Sequence, residues 1–159
     1  MPSVEINTAA AHEHVGEIEH GIRFVKERCQ GTHSLLPFEQ VPKAFIIHLV
    51  HFCVMWINTF PAKKGISKRL SPREIMLRRS LDYKRHVCGP FGQCIEAHED
   101  AVIMNTNRLR TFSGILLGPK GNIQGTQKVF DVKTGAIKKC CVIKAIPMPQ
   151  DVIKTVGQG

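Results

Sequence analysis

The run Ala44 to Ile57, Ala-Phe-Ile-Ile-His-Leu-Val-His-Phe-Cys-Val-Met-Trp-Ile, limits what this chain can fold into more than any other part of it. Only His48 and His51 interrupt the run, and it is shorter than the ~20 residues a membrane span needs. It therefore predicts a buried helix from about Val41 to Thr59, with Pro42 in the first turn, where a missing N–H is harmless. Phe45, Ile46, Leu49, Val50, Phe52, Val54, Trp56 and Ile57 spread apolar surface nearly all round it, and a helix without a polar face must be covered on most sides. Packing on one other helix leaves much of that surface bare. No strand pattern precedes residue 91, so the chain is expected to be a piece of a larger domain or to oligomerise.

That other helix is drawn by Val15, Ile18, Ile22, Val25 and Cys29, whose spacings of three and four make one apolar stripe from about Ala11 to Cys29. Gln30-Gly31 supplies the glycine expected just past a helix end. Gly16 and Gly21 lie inside it at roughly 1 kcal/mol each relative to Ala, so this helix needs tertiary support. Glu19 flanks the stripe, where a carboxylate is half in and half out and can face a metal. The plain alternative is an i,i+4 pair with Arg23 on an exposed surface. Residues 1–11 have no usable periodicity and read as a disordered lead-in or the stump of something longer.

Pro61 closes the apolar helix, and a basic linker with one short helix follows over residues 61–90. Ser71-Pro72-Arg73-Glu74 starts that helix with a capping residue, a proline at the first position and a glutamate three residues after the cap, and it runs to about Arg79 with Ile75 and Met76 as anchors. Beyond Gly89 the pattern changes to short runs bounded by Gly, Pro or Asn: Gly92–Glu99, Thr111–Leu117, Thr126–Val132 and Ile137–Ala145. Four short strands with tight turns predict a small antiparallel β-barrel or meander over residues 91–148, and residues 149–159 form a tail in which Gln150 to Val156 adds a helical turn over an open end. The fold class expected is α+β.

Charge narrows the function. The net charge is +9, and the excess is concentrated: Lys63, Lys64, Lys68, Arg69, Arg73, Arg78, Arg79, Lys84 and Arg85 face only Glu74 and Asp82 within residues 61–90. Positive segments of this kind contact phosphate, and a solvated Lys/Arg surface is the bland alternative. At 6% aromatic residues, the chain is poorly supplied with stacking platforms for single strands. The six cysteines follow no framework spacing and no signal peptide precedes them, so reduced thiols in the nucleus or cytoplasm are expected. No Cys-x-x-Cys or His-x-x-x-His pair completes a zinc site, and Gly118-Pro119-Lys120-Gly121 is a turn rather than a phosphate loop.

Three segments together resemble one family. Glu19, Arg23, Val25 and Glu27 form Glu-x-x-x-Arg-x-apolar-x-Glu, which resembles the last catalytic helix of integrases from copia-type long-terminal-repeat retrotransposons. Trp56-Ile57-Asn58-Thr59-Phe60-Pro61-Ala62-Lys63 and Ser71-Pro72-Arg73-Glu74-Ile75-Met76 are similar to the family's second helix, its Asn-x-x-Pro exit and the start of the next helix. Leu116-Leu117-Gly118-Pro119 and Lys128-Val129-Phe130-Asp131 resemble the small barrel, Src-homology-3-like, that follows the integrase core in such polyproteins. The resemblance spans roughly residues 13–148 in the right order.

It implies that residues 12–60 are the end of an RNase H-like core, which in the family holds two Mg2+ or Mn2+ ions on two aspartates and a glutamate and joins DNA strands. Glu19 takes the place of the glutamate, as catalytic residue and metal ligand, with Glu17 as its rival because Val15-Gly16-Glu17 also looks like the family's approach to that residue. The two aspartates would lie upstream of residue 1, so the isolated chain is expected to hold no metal and to be inert. DNA is the implied partner, through phosphate contacts by Lys63, Lys64, Lys68, Arg69, Arg78 and Arg79. The other half of the integrase or a second copy is a further implied partner, and neither a membrane nor a small-molecule substrate is expected. Two other readings stay open: a non-catalytic protein-interaction module, and a decayed mobile-element reading frame.

Overall fold

A computed structural model describes residues 15–63, 65–99 and 109–157. The expected lead-in therefore lies outside the described residues, as does Lys64. Helix α1 spans Gly16–His33 and α2 spans Lys43–Thr59. They are followed by the short helices α3 (Pro72–Leu77) and α4 (Tyr83–His86), by strands β1 (Cys94–His98), β2 (Thr111–Pro119), β3 (Gln127–Asp131), β4 (Ile137–Cys140) and β5 (Ile143–Ala145), and by α5 (Gln150–Gly157). The chain is α+β.

Several boundaries differ from the sequence reading, each for a local reason. Gly31 does not stop α1. The helix continues through it to His33, where Ser34 N–H closes on Gln30 O and Leu35 N–H on Thr32 O. Pro42 sits one residue ahead of α2 as its cap rather than inside the first turn. Helix α3 ends at Leu77, because Arg78 turns into the left-handed region at φ 52° with its N–H on Glu74 O. The run Ile137–Ala145 breaks at Cys141–Val142 into two strands, which go to opposite edges of the sheet.

The sheet has the order β4-β3-β2-β1-β5, antiparallel throughout. Among the described residues it stays open. Of the expected barrel or meander, β1 to β4 form the meander and the barrel does not close, since β4 and β5, four and three residues long, lie on the two edges instead of pairing. Strand β2 runs through the centre and shifts register between Leu116 and Gly118. Gly118, at φ +108°, lies against α2: a Cβ there would lie 2.6 Å from the ring of Phe52.

Alternation along the strands gives the sheet two apolar faces. Cys94, Ile115 and Leu117 point to one face and join Phe38, Phe45, Leu49 and Cys53 from the N-terminal half, Phe91, and Val156 from α5 in one cluster. Phe45 is its centre, fully buried, with Phe38, Phe91 and Phe130 edge-on at centroid distances of 6.1, 6.4 and 4.9 Å. Ile95, Ala97, Leu116, Val129 and Cys140 form the second cluster on the opposite face. Lys138 lies over the Phe112 ring beside it and reaches Asp131 at 3.0 Å and Glu99 at 2.9 Å.

The apolar helix is thus covered on one face by the chain's own sheet, built from strands that follow residue 91. Helices α1 and α3 also pack on it, while Ile46, Ile47, Val50 and Val54 stay partly exposed. Helix α1 buries none of its residues; Ile18 and Ile22, in the middle of the predicted stripe, are 61% and 51% exposed. None of the six cysteines is in a disulfide, and burial, with Cys53 beside it, pushes the Cys29 thiol up to about 11. Among the described residues no helix is long and apolar enough to cross a membrane.

Candidate nucleic-acid interface

The basic segment folds against the turn between β2 and β3. Helix α3 starts as its sequence demands: Ser71 Oγ accepts from Glu74 N at 3.2 Å, and Glu74 Oε2 accepts from Ser71 N at 2.8 Å and from Ser71 Oγ at 2.9 Å. These bonds from Ser71 hold the Glu74 carboxyl below its usual range and commit it to the cap. Arg73 is left to reach across the gap, and its Nη2 donates to Gly121 O at 2.7 Å.

Asp82 caps α4 by accepting from Lys84 N at 3.0 Å and Arg85 N at 3.4 Å, and its other oxygen is 3.3 Å from Arg85 Nε. One turn later the buried His86 bridges the two parts, with Nδ1 2.7 Å from Asp82 O and Nε2 2.6 Å from Asn122 O. Gln127, fully buried at the start of β3, donates from Nε2 to Arg85 O at 3.2 Å and Gly125 O at 3.1 Å. Gly125, at φ +73°, allows the approach, since a Cβ there would stand 2.9 Å from Arg85 O. Gln127 Oε1 is buried without a partner among the described residues, and the bonds made by Nε2 and by His86 are what join the two parts.

Between the two parts lies a cleft of about 590 Å3 whose walls carry Arg73, Arg78, Arg79 and Arg85 with Asp82 and His86. Four guanidiniums face one carboxylate, and that carboxylate is engaged by Arg85. The left-handed turn at Arg78 is what brings Arg78 and Arg79 round to the same opening as Arg73. An arrangement of this kind attracts anions, and the planar fork of Arg suits phosphate oxygens in particular.

Of the residues proposed from sequence to contact phosphate, Arg78 and Arg79 line this cleft. Lys63, Lys68 and Arg69 are exposed on the preceding loop and do not line it, and Lys64 lies outside the described residues. Arg73 and Arg85 were visible in the basic run but not singled out, because their role depends on the turn at 121–123, far along the chain. Glu19 and its rival Glu17 stand on the exposed first turn of α1 and do not line the cleft. Among the described residues no group of three or more His, Cys, Asp or Glu side chains is placed to hold a metal ion. A single exposed glutamate does not fit a pair of divalent cations, which need several anionic oxygens. Compared with known proteins, the chain matches no family model, no curated protein and no solved structure, so a functional reading rests on this geometry and on the sequence motifs.

Proposed function

We propose that this chain is the carboxy-terminal part of a copia-type retrotransposon integrase and that it binds duplex DNA through its phosphates. In this reading α1 and α2 are the last helices of an RNase H-like core, residues 61–90 are the DNA-contacting segment, and the open five-stranded sheet is the β unit that follows. Lys63, Lys64, Lys68, Arg69, Arg78 and Arg79 contact backbone phosphates. The observation that carries the reading is the gathering of four arginines at one cleft with a single, already engaged, carboxylate.

Glu19 is the family glutamate in this account, a metal ligand only when the two aspartates of the complete enzyme are present. No aspartate precedes it in this sequence. The chain by itself therefore binds DNA without joining strands, and Mg2+ or Mn2+ belongs to the complete enzyme. Titrating the full chain with random-sequence duplex across salt concentrations tests the binding. The affinity is expected to fall linearly on logarithmic axes, by about 0.9 in slope per phosphate contact. Absence of duplex binding at low salt overturns the reading.

A second reading has its own observation. Ile18, Ile22, Ile46, Ile47, Val50 and Val54 are exposed on α1 and α2, and exposed apolar surface of this kind marks protein contacts. As an interaction module, the chain would meet a protein through these helices, and its charge would only keep it soluble. A chain that binds no duplex but self-associates in sedimentation velocity supports this alternative.

A further inference from the structure

Arg73 carries a donor that docking does not use. Its Nε–H is buried and has no hydrogen-bond acceptor among the described residues, although Nη2 of the same guanidinium donates to Gly121 O at 2.7 Å. A buried donor left without an acceptor costs about 1–3 kcal/mol. Arg78 and Arg79 line the same cleft and make no ion pair or side-chain hydrogen bond among the described residues. The nearby acids do not answer them, because Glu74 is turned to its own cap and Asp82 to Arg85 and the α4 amides. Arg78 also holds φ 52°, a conformation that costs a non-glycine residue roughly 1–2 kcal/mol and that clusters at ligand clamps. Two exposed arginines without a side-chain partner among the described residues, a third held behind them and backbone strain thus meet at one opening.

We infer that this cleft is a discrete phosphate site that takes one phosphodiester of a nucleic-acid backbone. The phosphate enters between the α3–α4 segment and the 121–123 turn. Its oxygens accept from the exposed forks of Arg78 and Arg79, and the Arg73 guanidinium, fixed on Gly121 O, adds its charge from the wall behind them. Arg85 stays with Asp82 as part of the wall. A volume of about 590 Å3 has room for a phosphate with its flanking sugars, within the range of ordinary ligand pockets. The inference rests on the DNA-binding reading above and adds a place to it: the exposed lysines of the preceding loop attract DNA, and the cleft holds it.

Arginine side-chain NMR on the full chain tests this, with a random-sequence duplex and inorganic phosphate as separate probes. The Arg73 Nε–H resonance is expected to shift and saturate with duplex. That shift is lost in Arg78→Gln/Arg79→Gln and kept in Lys63→Gln/Lys68→Gln, which removes the same charge. Both pairs are exposed, and an unchanged circular dichroism spectrum confirms that each variant is folded. If duplex binds with salt-dependent affinity while Arg73 stays unmoved, the cleft is not the site and the DNA reading survives. If inorganic phosphate alone saturates the shift and duplex does not, the nucleic-acid source is wrong. A chain that binds neither probe removes both readings.

Discussion

Arg73 Nη2 donates to the carbonyl oxygen of Gly121 at 2.7 Å, joining the first turn of α3 to the β2–β3 turn. It is a charged donor in a half-buried place, with no carboxylate competing for it. Arg73→Ala is expected to destabilise the fold by about 1.5 kcal/mol, near the low end for hydrogen bonds to charged groups. Arg73→Lys should recover part of this, because the tie is one N–H on one carbonyl and an ammonium can donate one. Urea denaturation of the two variants checks it; an Arg73→Ala variant as stable as the parent contradicts the tie.

His86 makes a second tie between the same two parts. Its ring nitrogens reach Asp82 O at 2.7 Å and Asn122 O at 2.6 Å from a buried position. His86→Ala removes the side-chain tie to Asn122 O, while Asp82 O keeps the backbone N–H groups of Arg85 and residue 86, and the expected loss is about 1–3 kcal/mol. Amide hydrogen exchange should show the damage as faster exchange in α4 and the 121–126 turn, with the central strands less affected.

Phe45 connects the N-terminal helices to the sheet through three aromatic neighbours. Phe45→Ala is expected to cost about 3–5 kcal/mol. Thermal denaturation checks the size of the effect. A small loss would mean that α2 does not depend on the sheet for its place.

His48 sets a pH dependence. Burial, with Lys128 and His51 adding to it, lowers its pKa below the ordinary value. The unfolded chain therefore binds the proton more readily than the folded one, and stability falls as pH drops below about 6.5, the ordinary histidine value. Denaturation midpoints measured from pH 7.5 down to about 5 should decline in the parent and decline less in His48→Leu. Parallel profiles would show that another group is responsible.

Much of the architecture was legible in the chain because it depends on local chemistry. The Ser71-Pro72-x-Glu74 cap is formed in full, and three of the four strand runs appear where alternation and turn residues placed them. What was not legible depends on distant partners. Gly31 continues α1 although glycine there signals a stop. The register of the β2–β3 turn, which decides that Arg73 and Arg85 share a wall with Arg78 and Arg79, is set by Gln127 and His86 over separations that no local pattern reveals. Helix α4 was missed because only the Asp82 cap announces its four residues. The exposure of Ile18 and Ile22 keeps the predicted stripe on α1 but leaves it unburied.

The most direct test of the whole account compares the salt dependence of duplex binding in the parent chain and in Lys63→Gln/Lys68→Gln/Arg78→Gln/Arg79→Gln. Lys63 and Lys68 on one phosphate each, and Arg78 with Arg79 on a third, make three lost phosphate contacts, which at about 0.9 each predict a logarithmic slope flatter by about 2.7. Equal slopes in the two proteins would contradict it, since these residues would then be bystanders on a solvated surface.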